Sequence, residues 1–234
     1  MNDRKKVVVI TGSAQGIGQA IKQEFERIGF TVYGIDKQVG EFYQGNLNNP
    51  KDMEDFVQAV LSRENRVDIL INNAAPISVG LDEGTLEEFE EALRVGVTAP
   101  FLLTKLLKEH FSDGASIINI TSTRSTQSQP QTESYSAAKG GLSALTHALA
   151  VSLLGKVRVN AIAPGWIETS EVEHSGADAS QHLVNRVGSV MDIAKLVLFL
   201  CSDEAGFISG ETITVDGGMS RQMIYHGDGG WRLE

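Results

Sequence analysis

The sequence predicts an α/β protein built on an open, doubly wound parallel sheet with helices on both faces, in three layers. Three observations carry that prediction. Short β-branched runs alternate with segments whose apolar residues recur at helical spacing. Two of the runs, VVVIT and DILIN, are almost continuously apolar, as strands covered on both faces should be. The first of them feeds directly into a glycine-rich turn and then an amphipathic stretch.

Taken in chain order, the first predicted strand is Val7–Thr11, and Ile17, Ala20, Ile21 and Ile28 form the apolar face of the helix behind it. Thr31–Asp36 reads as a second strand. Met53, Phe56, Val57, Val60 and Leu61 mark the next helix, and Asp68–Asn72 the strand that follows. Leu86, Phe89, Leu93, Val97 and Phe101 predict a helical face, followed by a strand at Ser116–Thr121. Leu142, Leu145, Leu149 and Leu153 predict a further one, leading into strands at Val157–Ala163 and Thr212–Val215. Right-handed crossovers between such strands give the parallel sheet. Ser170–Asn185 reads as a polar loop and 221–234 as a C-terminal tail. With no repeat or linker, residues 1–234 are expected to form one domain.

Composition narrows the function classes. Apolar residues at 41% and charged residues at 21% suit a globular chain long enough for one generous core. A net charge of −10 should repel nucleic-acid backbones and anionic membranes, so neither is expected as a partner. No apolar run approaches the roughly 20 residues of a spanning helix. MNDRKKVVVITG moves from charges straight into a strand, which is not the pattern of a signal peptide. The single cysteine, Cys201, sits in the apolar run LVLFLC and reads as a small buried hydrophobe. A reducing, cytoplasmic setting fits these features. The five histidines lack metal-ligand spacing, so no metal is expected.

The glycine turn TGSAQGIG carries Gly12, Gly16 and Gly18 in the spacing G-x-x-x-G-x-G. A pyrophosphate can reach a helix N-terminus only where backbone comes close, which favours glycine there. Strand before and helix after make this a dinucleotide turn in preference to a plain tight turn. Asp36 ends the second strand. A carboxylate at that place accepts hydrogen bonds from ribose hydroxyls and repels a 2′-phosphate. Neither Ser13 nor Gln15 offers a positive charge for that phosphate, and Lys37 is the one dissenting residue. NAD is therefore expected rather than NADP.

Ser122 follows the Ser116–Thr121 strand at its C-terminal end, where open α/β sheets place ligands. Tyr135 and Lys139 lie one helical turn apart. A phenol with its ordinary pKa near 10 trades protons poorly at neutral pH, and a nearby ammonium lowers that value. A hydroxyl across the cleft could hold the reacting oxygen.

Together, TGSAQGIG (11–18), NNAA (72–75), the Ser122/Tyr135/Lys139 set, NAIAPGWIET (160–169) and FISGETITVDGG (207–218) resemble the short-chain dehydrogenase/reductase family in its single-domain soluble form. The resemblance covers about residues 5–218. It implies a Rossmann-type fold and hydride transfer between nicotinamide and an alcohol or carbonyl of a small molecule. It casts Tyr135 as acid/base and Ser122 as holder of the substrate oxygen, with Lys139 lowering the phenol pKa and binding the nicotinamide ribose. It also implies cofactor contacts at Gly12, Ser13, Gln15, Gly16, Ile17 and Gly18, and at Asn46 and Leu47 near the adenine. Asn73, Ala74 and Ala75 would border the adenosine side, and Pro164, Gly165, Ile167 and Thr169 would close over the nicotinamide. Such proteins assemble as dimers or tetramers, which points to the helices around Leu93–Leu107 and Leu142–Leu153.

The sequence departs from the family in three places. Gly96 stands where an Asn is usual, within LRVGVTAPF. Pro100, four residues on, cannot bond the Gly96 carbonyl and should kink the helix, freeing that carbonyl for a water that leads to Lys139. The alternative is that Gly96 only allows close packing. Ala75 replaces a Gly, and Asn46 an Asp.

Arg124 has two readings: a cleft guanidinium that binds a substrate carboxylate or phosphate, or an ion pair with Glu133 or a solvated loop residue. Tyr225, His226 and Trp231 in the tail predict packing on a neighbouring subunit. A non-catalytic dinucleotide-binding protein, or an epimerase or dehydratase on the same scaffold, are the competing functions.

Overall fold

A computed structural model describes residues 5–170, 172–223, 225, 227 and 228. Its strands are β1 (Val7–Thr11), β2 (Thr31–Asp36), β3 (Tyr43–Gln44), β4 (Val67–Asn72), β5 (Phe111–Ile120), β6 (Val157–Pro164), β7 (Ile167–Glu168), β8 (Gly188–Ser189) and β9 (Thr212–Val215). The helices are α1 (Gly16–Arg27), α2 (Pro50–Leu61), α3 (Leu86–Leu93), α4 (Ala99–Leu107), α5 (Glu133–Ser152), α6 (Ala177–Ser180) and α7 (Val190–Leu200).

Among the described residues, seven strands form one parallel sheet in the order β3-β2-β1-β4-β5-β6-β9. The alternating pleat of β1 explains the two cores. Val7 and Val9 face one side, with Met53, Phe56 and Val60 of α2, Leu103 and Leu107 of α4, and Leu149 and Leu153 around α5. Val8 and Ile10 face the other, with Ala20, Ile21 and Phe25 of α1 and Ile193, Val197 and Leu200 of α7. The order reverses at β1, which lies between β2 and β4, and a crevice opens there at the C-terminal strand ends.

Local chemistry sets the helix starts. The Asn49 side chain caps α2 by accepting from the Lys51 amide, with Pro50 in the first turn. Thr85 and Glu88 form a reciprocal capping box on α3. The start of α1 has no side-chain cap, so its first amides remain directed toward the crevice mouth.

Six predicted strands are present: three have the predicted bounds, β4 and β6 are each longer by a residue, and β5 begins earlier than predicted and ends before Thr121. The face predicted from Leu86, Phe89, Leu93, Val97 and Phe101 is not the core face. Leu86 and Phe101 are exposed, and the buried positions are Ala92, Val95, Ala99, Leu103 and Leu107. The buried stripe runs beside the predicted one, through a five-residue π-helical turn, Arg94–Thr98, between α3 and α4. Ile28 is also exposed, and Phe25 takes its place in the core. β3, β7, β8, α6 and α7 were not predicted. The three strands have two residues each, too few to display a period. In the tail, Tyr225 is exposed, while His226 and Trp231 lie outside the described residues.

Candidate active site

A cavity of about 650 Å³ runs along the C-terminal strand ends across the switch point. Its middle is the glycine turn. Gly12 (φ +67°) and Gly16 (φ +56°) have left-handed backbones that favour glycine. A Cβ on Gly16 would stand 3.3 Å from Thr169 Cγ2, filling the gap between the turn and the opposite wall. The turn is pinned from β4. Asn73 Nδ2 donates to the carbonyls of Gly12 (2.8 Å) and Thr11 (3.1 Å), and Thr11 Oγ1 accepts from the amides of Asn73 and Ala74.

Gly12, Gln15, Gly16, Ile17, Asp36, Asn46 and Leu47 line the cavity on one side. Asn73, Ala74 and Ala75 lie along its floor, and Ser122, Tyr135, Lys139, Pro164, Gly165, Ile167 and Thr169 surround the far end. Two predicted cofactor contacts do not reach it. Ser13 is fully buried and donates to Glu41 Oε2 at 2.8 Å, a carboxylate also held by Lys22. Gly18 lies behind the turn, against the Gly12 carbonyl. Residues that reasoning from sequence missed, including Gln38, Ile77, Glu91 and Val95, also line the wall. They come from segments without a motif, so only the fold could reveal them.

Asp36 is held by two amides, Oδ2 accepting from Ala14 (3.1 Å) and Oδ1 from Gln38 (3.0 Å). Lys37 turns to Glu91, 3.8 Å away, in an exposed pair. A carboxylate at one end, a glycine cradle in the middle and a phenol with an ammonium at the other fit a dinucleotide.

At the reacting end, Ser122 follows β5 and caps the turn Thr123–Ser125, and Tyr135 and Lys139 lie one turn apart on α5. Lys139 is buried, and its Nζ donates to the Ile120 carbonyl at 2.7 Å. Burial pulls its pKa down to about 8. The Tyr135 phenol is pushed above its ordinary value by burial, against the opposing pull of a hydrogen bond with Ser122 and the charge of Arg124. The Lys139 ammonium lies 5.6 Å from the Tyr135 ring centroid. The cation that draws the phenol down here is therefore Arg124, whereas Lys139 contributes a nearby ammonium with a weakened hold on its proton.

Arg124 is not paired with Glu133. Its guanidinium donates to the Gln129 side-chain oxygen and lies 5.8 Å from the Tyr135 ring centroid. Glu133 Oε2 is buried and has no hydrogen-bond partner among the described residues.

The Gly96 region is irregular and tightly packed. The Ala99 amide reaches back to the Arg94 carbonyl, so the helix is irregular there, just before Pro100. Gly96 also allows close packing, since a Cβ there would sit 2.7 Å from Ala138 Cβ and 3.3 Å from Pro76 Cγ. Ala138 precedes Lys139, so a side chain at 96 would push directly on the helix that carries the reacting residues. Gly96→Asn is expected to destabilise the fold by about 1–3 kcal/mol through overpacking. Denaturant unfolding checks this, and an unchanged midpoint would show that α5 yields freely. Cys201 is buried, with its thiol pushed up to about 12, so it is no nucleophile.

Comparison with known proteins agrees with this geometry. Residues 12–220 match the family model described as enoyl-(acyl carrier protein) reductase. An uncharacterized oxidoreductase of Thermotoga maritima is 42% identical, covering 94% of this chain and 98% of its own length. The 3-oxoacyl-[acyl-carrier-protein] reductase FabG of the same organism is 30% identical, covering 92% and 97%. The apo SCOR enzyme of Clostridium thermocellum superposes with a TM-score of 0.90 at 40% identity, covering 100% of this chain and 99% of its own. A blue fluorescent protein from a metagenomic library, solved with NADPH, superposes with a TM-score of 0.85 at 26% identity, covering 94% and 100%.

Proposed function

The chain belongs to the short-chain dehydrogenase/reductase family, and from that premise we propose that it interconverts an alcohol and a carbonyl on a small molecule with NAD. The observation that carries the reading is the single cavity joining Asp36 to Ser122, Tyr135 and Lys139. In reduction, the Ser122 hydroxyl donates to the carbonyl oxygen and steadies it. Tyr135 then gives its phenolic proton to that oxygen while the adjacent carbon takes a hydride. A bound nicotinamide supplies that hydride, or accepts it in the oxidising direction. Negative charge left on the phenol is favoured by Arg124. The test is NADH oxidation over a panel of carbonyl compounds, with Tyr135→Phe as control. Equal rates for the two proteins would favour a non-catalytic dinucleotide-binding protein.

The choice of NAD rests on Asp36, whose carboxylate is fixed by two amides and would repel a 2′-phosphate. The NADPH-bound relative and the proximity of Lys37 weigh on the other side. Asp36→Ala is expected to shift the NADP-to-NAD efficiency ratio upward by about tenfold or more, since hydrogen bonds to a charged group are worth about 1.5–3 kcal/mol. Initial rates with both cofactors measure it, and an unchanged ratio removes Asp36 as the discriminator.

A homodimer or homotetramer is proposed, with Phe101, Val151 and Leu154 as exposed apolar contacts on and beside α4 and α5. A monomeric mass by light scattering would exclude it. An unpaired, buried Cys201 suits a cytoplasmic setting.

A further inference from the structure

Arg124 stands at the edge of the reacting end with a positive charge that no acidic residue among the described ones pairs. Among the described residues it makes no ion pair, although acidic residues outnumber basic ones 30 to 20 in the chain. Among the described residues its side-chain hydrogen bond goes to Gln129, which carries no charge. The backbone that carries it is ordered. The Arg124 amide donates to Ser122 Oγ at 3.1 Å, and the turn Thr123–Ser125 is closed by the Ser125 amide on the Ser122 carbonyl at 3.0 Å. The Arg124 backbone is thus tied to the hydroxyl that would hold the reacting oxygen, and its guanidinium lies against the ring of Tyr135. Arg124 is not part of the nucleotide cavity wall, which ends at Ser122 and Tyr135.

We infer that Arg124 forms an anion subsite, so that the substrate carries a carboxylate or phosphate a few bonds from its carbonyl or hydroxyl carbon. This rests on the oxidoreductase reading for its role in turnover, but the subsite can be tested without it. A guanidinium fork with one N–H on Gln129 keeps further donors for a planar or tetrahedral anion. Charge-assisted bonds of this kind are the strong ones. Because Arg124 also acts on the Tyr135 phenol, its removal alters the reaction of every substrate. Only the discrimination between charged and neutral substrates isolates anion binding.

The experiment titrates malonate, inorganic phosphate and neutral dimethyl malonate into the protein in saturating NAD, by calorimetry. The expected result is that at least one anion binds and the diester does not. Malonate as the tighter ligand points to a carboxylate substrate, and phosphate as the tighter one to a phosphate ester. Arg124→Met should weaken anion binding by about tenfold or more, and Arg124→Lys by less. No binding of either anion to wild type, or equal binding to Arg124→Met, overturns the proposal. For any keto acid that is turned over, the ratio of kcat/KM for the acid to that for its methyl ester should fall about tenfold in Arg124→Met, mainly through KM. A ratio that does not change overturns it as well. Tyr135→Phe separates the two readings, because it should keep anion binding while losing turnover. Anion binding through Arg124 without any Tyr135-dependent turnover would sink the oxidoreductase reading and leave the subsite standing.

Discussion

Tyr135→Phe is expected to lower turnover by about 10²- to 10⁴-fold, the usual contribution of a positioned acid/base group. The ring stays the same size, and its neighbours, the Arg124 guanidinium and the Lys139 ammonium, stay in place. What disappears is the phenolic hydroxyl proposed to pass a proton to the substrate oxygen. Ser122 remains but has no comparable acidity, because an aliphatic hydroxyl lacks the delocalised anion of a phenol. Thermal unfolding should show an unchanged fold, and NAD affinity should change little. Activity within about threefold of wild type would remove Tyr135 from the reaction.

Gly18→Ala is expected to damage the protein from behind the cavity. A Cβ at Gly18 would lie 2.0 Å from the Gly12 carbonyl oxygen and 2.4 Å from Asn73 Nδ2. No rotamer relieves a clash with backbone. Either α1 moves away from β1, or the Gly12 carbonyl turns and breaks its 2.8 Å bond from Asn73. Overpacking of this kind costs about 1–3 kcal/mol and sometimes more. The distortion falls on the turn meant to receive the cofactor, so NAD affinity should fall further than stability alone explains. Chemical denaturation and NAD titration measure the two effects. Wild-type values for both would show that the loop is softer than its packing implies.

Much of the site was legible along the chain because its parts are local. Glycines within seven residues between a strand and a helix, and Tyr135 one helical turn before Lys139, are patterns a linear reading can see. Asp36 was legible because a strand end has a predictable address in a parallel sheet. Two neighbours of the glycine turn misled for the opposite reason. Ser13 and Gly18 sit in the motif, yet one is buried onto Glu41 and the other is pressed against backbone. The contribution of Glu41 depends on a loop whose path has no periodic signal. The face of the helix at residues 86–101 was misread because two adjacent stripes both carry apolar residues at helical spacing, and only packing chooses the one with Ala92, Val95 and Ala99.

The sequence by itself determined the class of sheet, the strand positions and the candidate reacting residues. Hydrophobic periodicity and close backbone approach leave direct marks on composition at short range. Tertiary structure decided how charges and packing are shared among those residues. It set Arg124 against Tyr135 rather than Glu133, buried Lys139 beneath the Ile120 carbonyl, and brought Ala138 up against Gly96. Electrostatics and steric fit depend on distances of a few ångströms between segments far apart in the chain, and no spacing along the sequence records them.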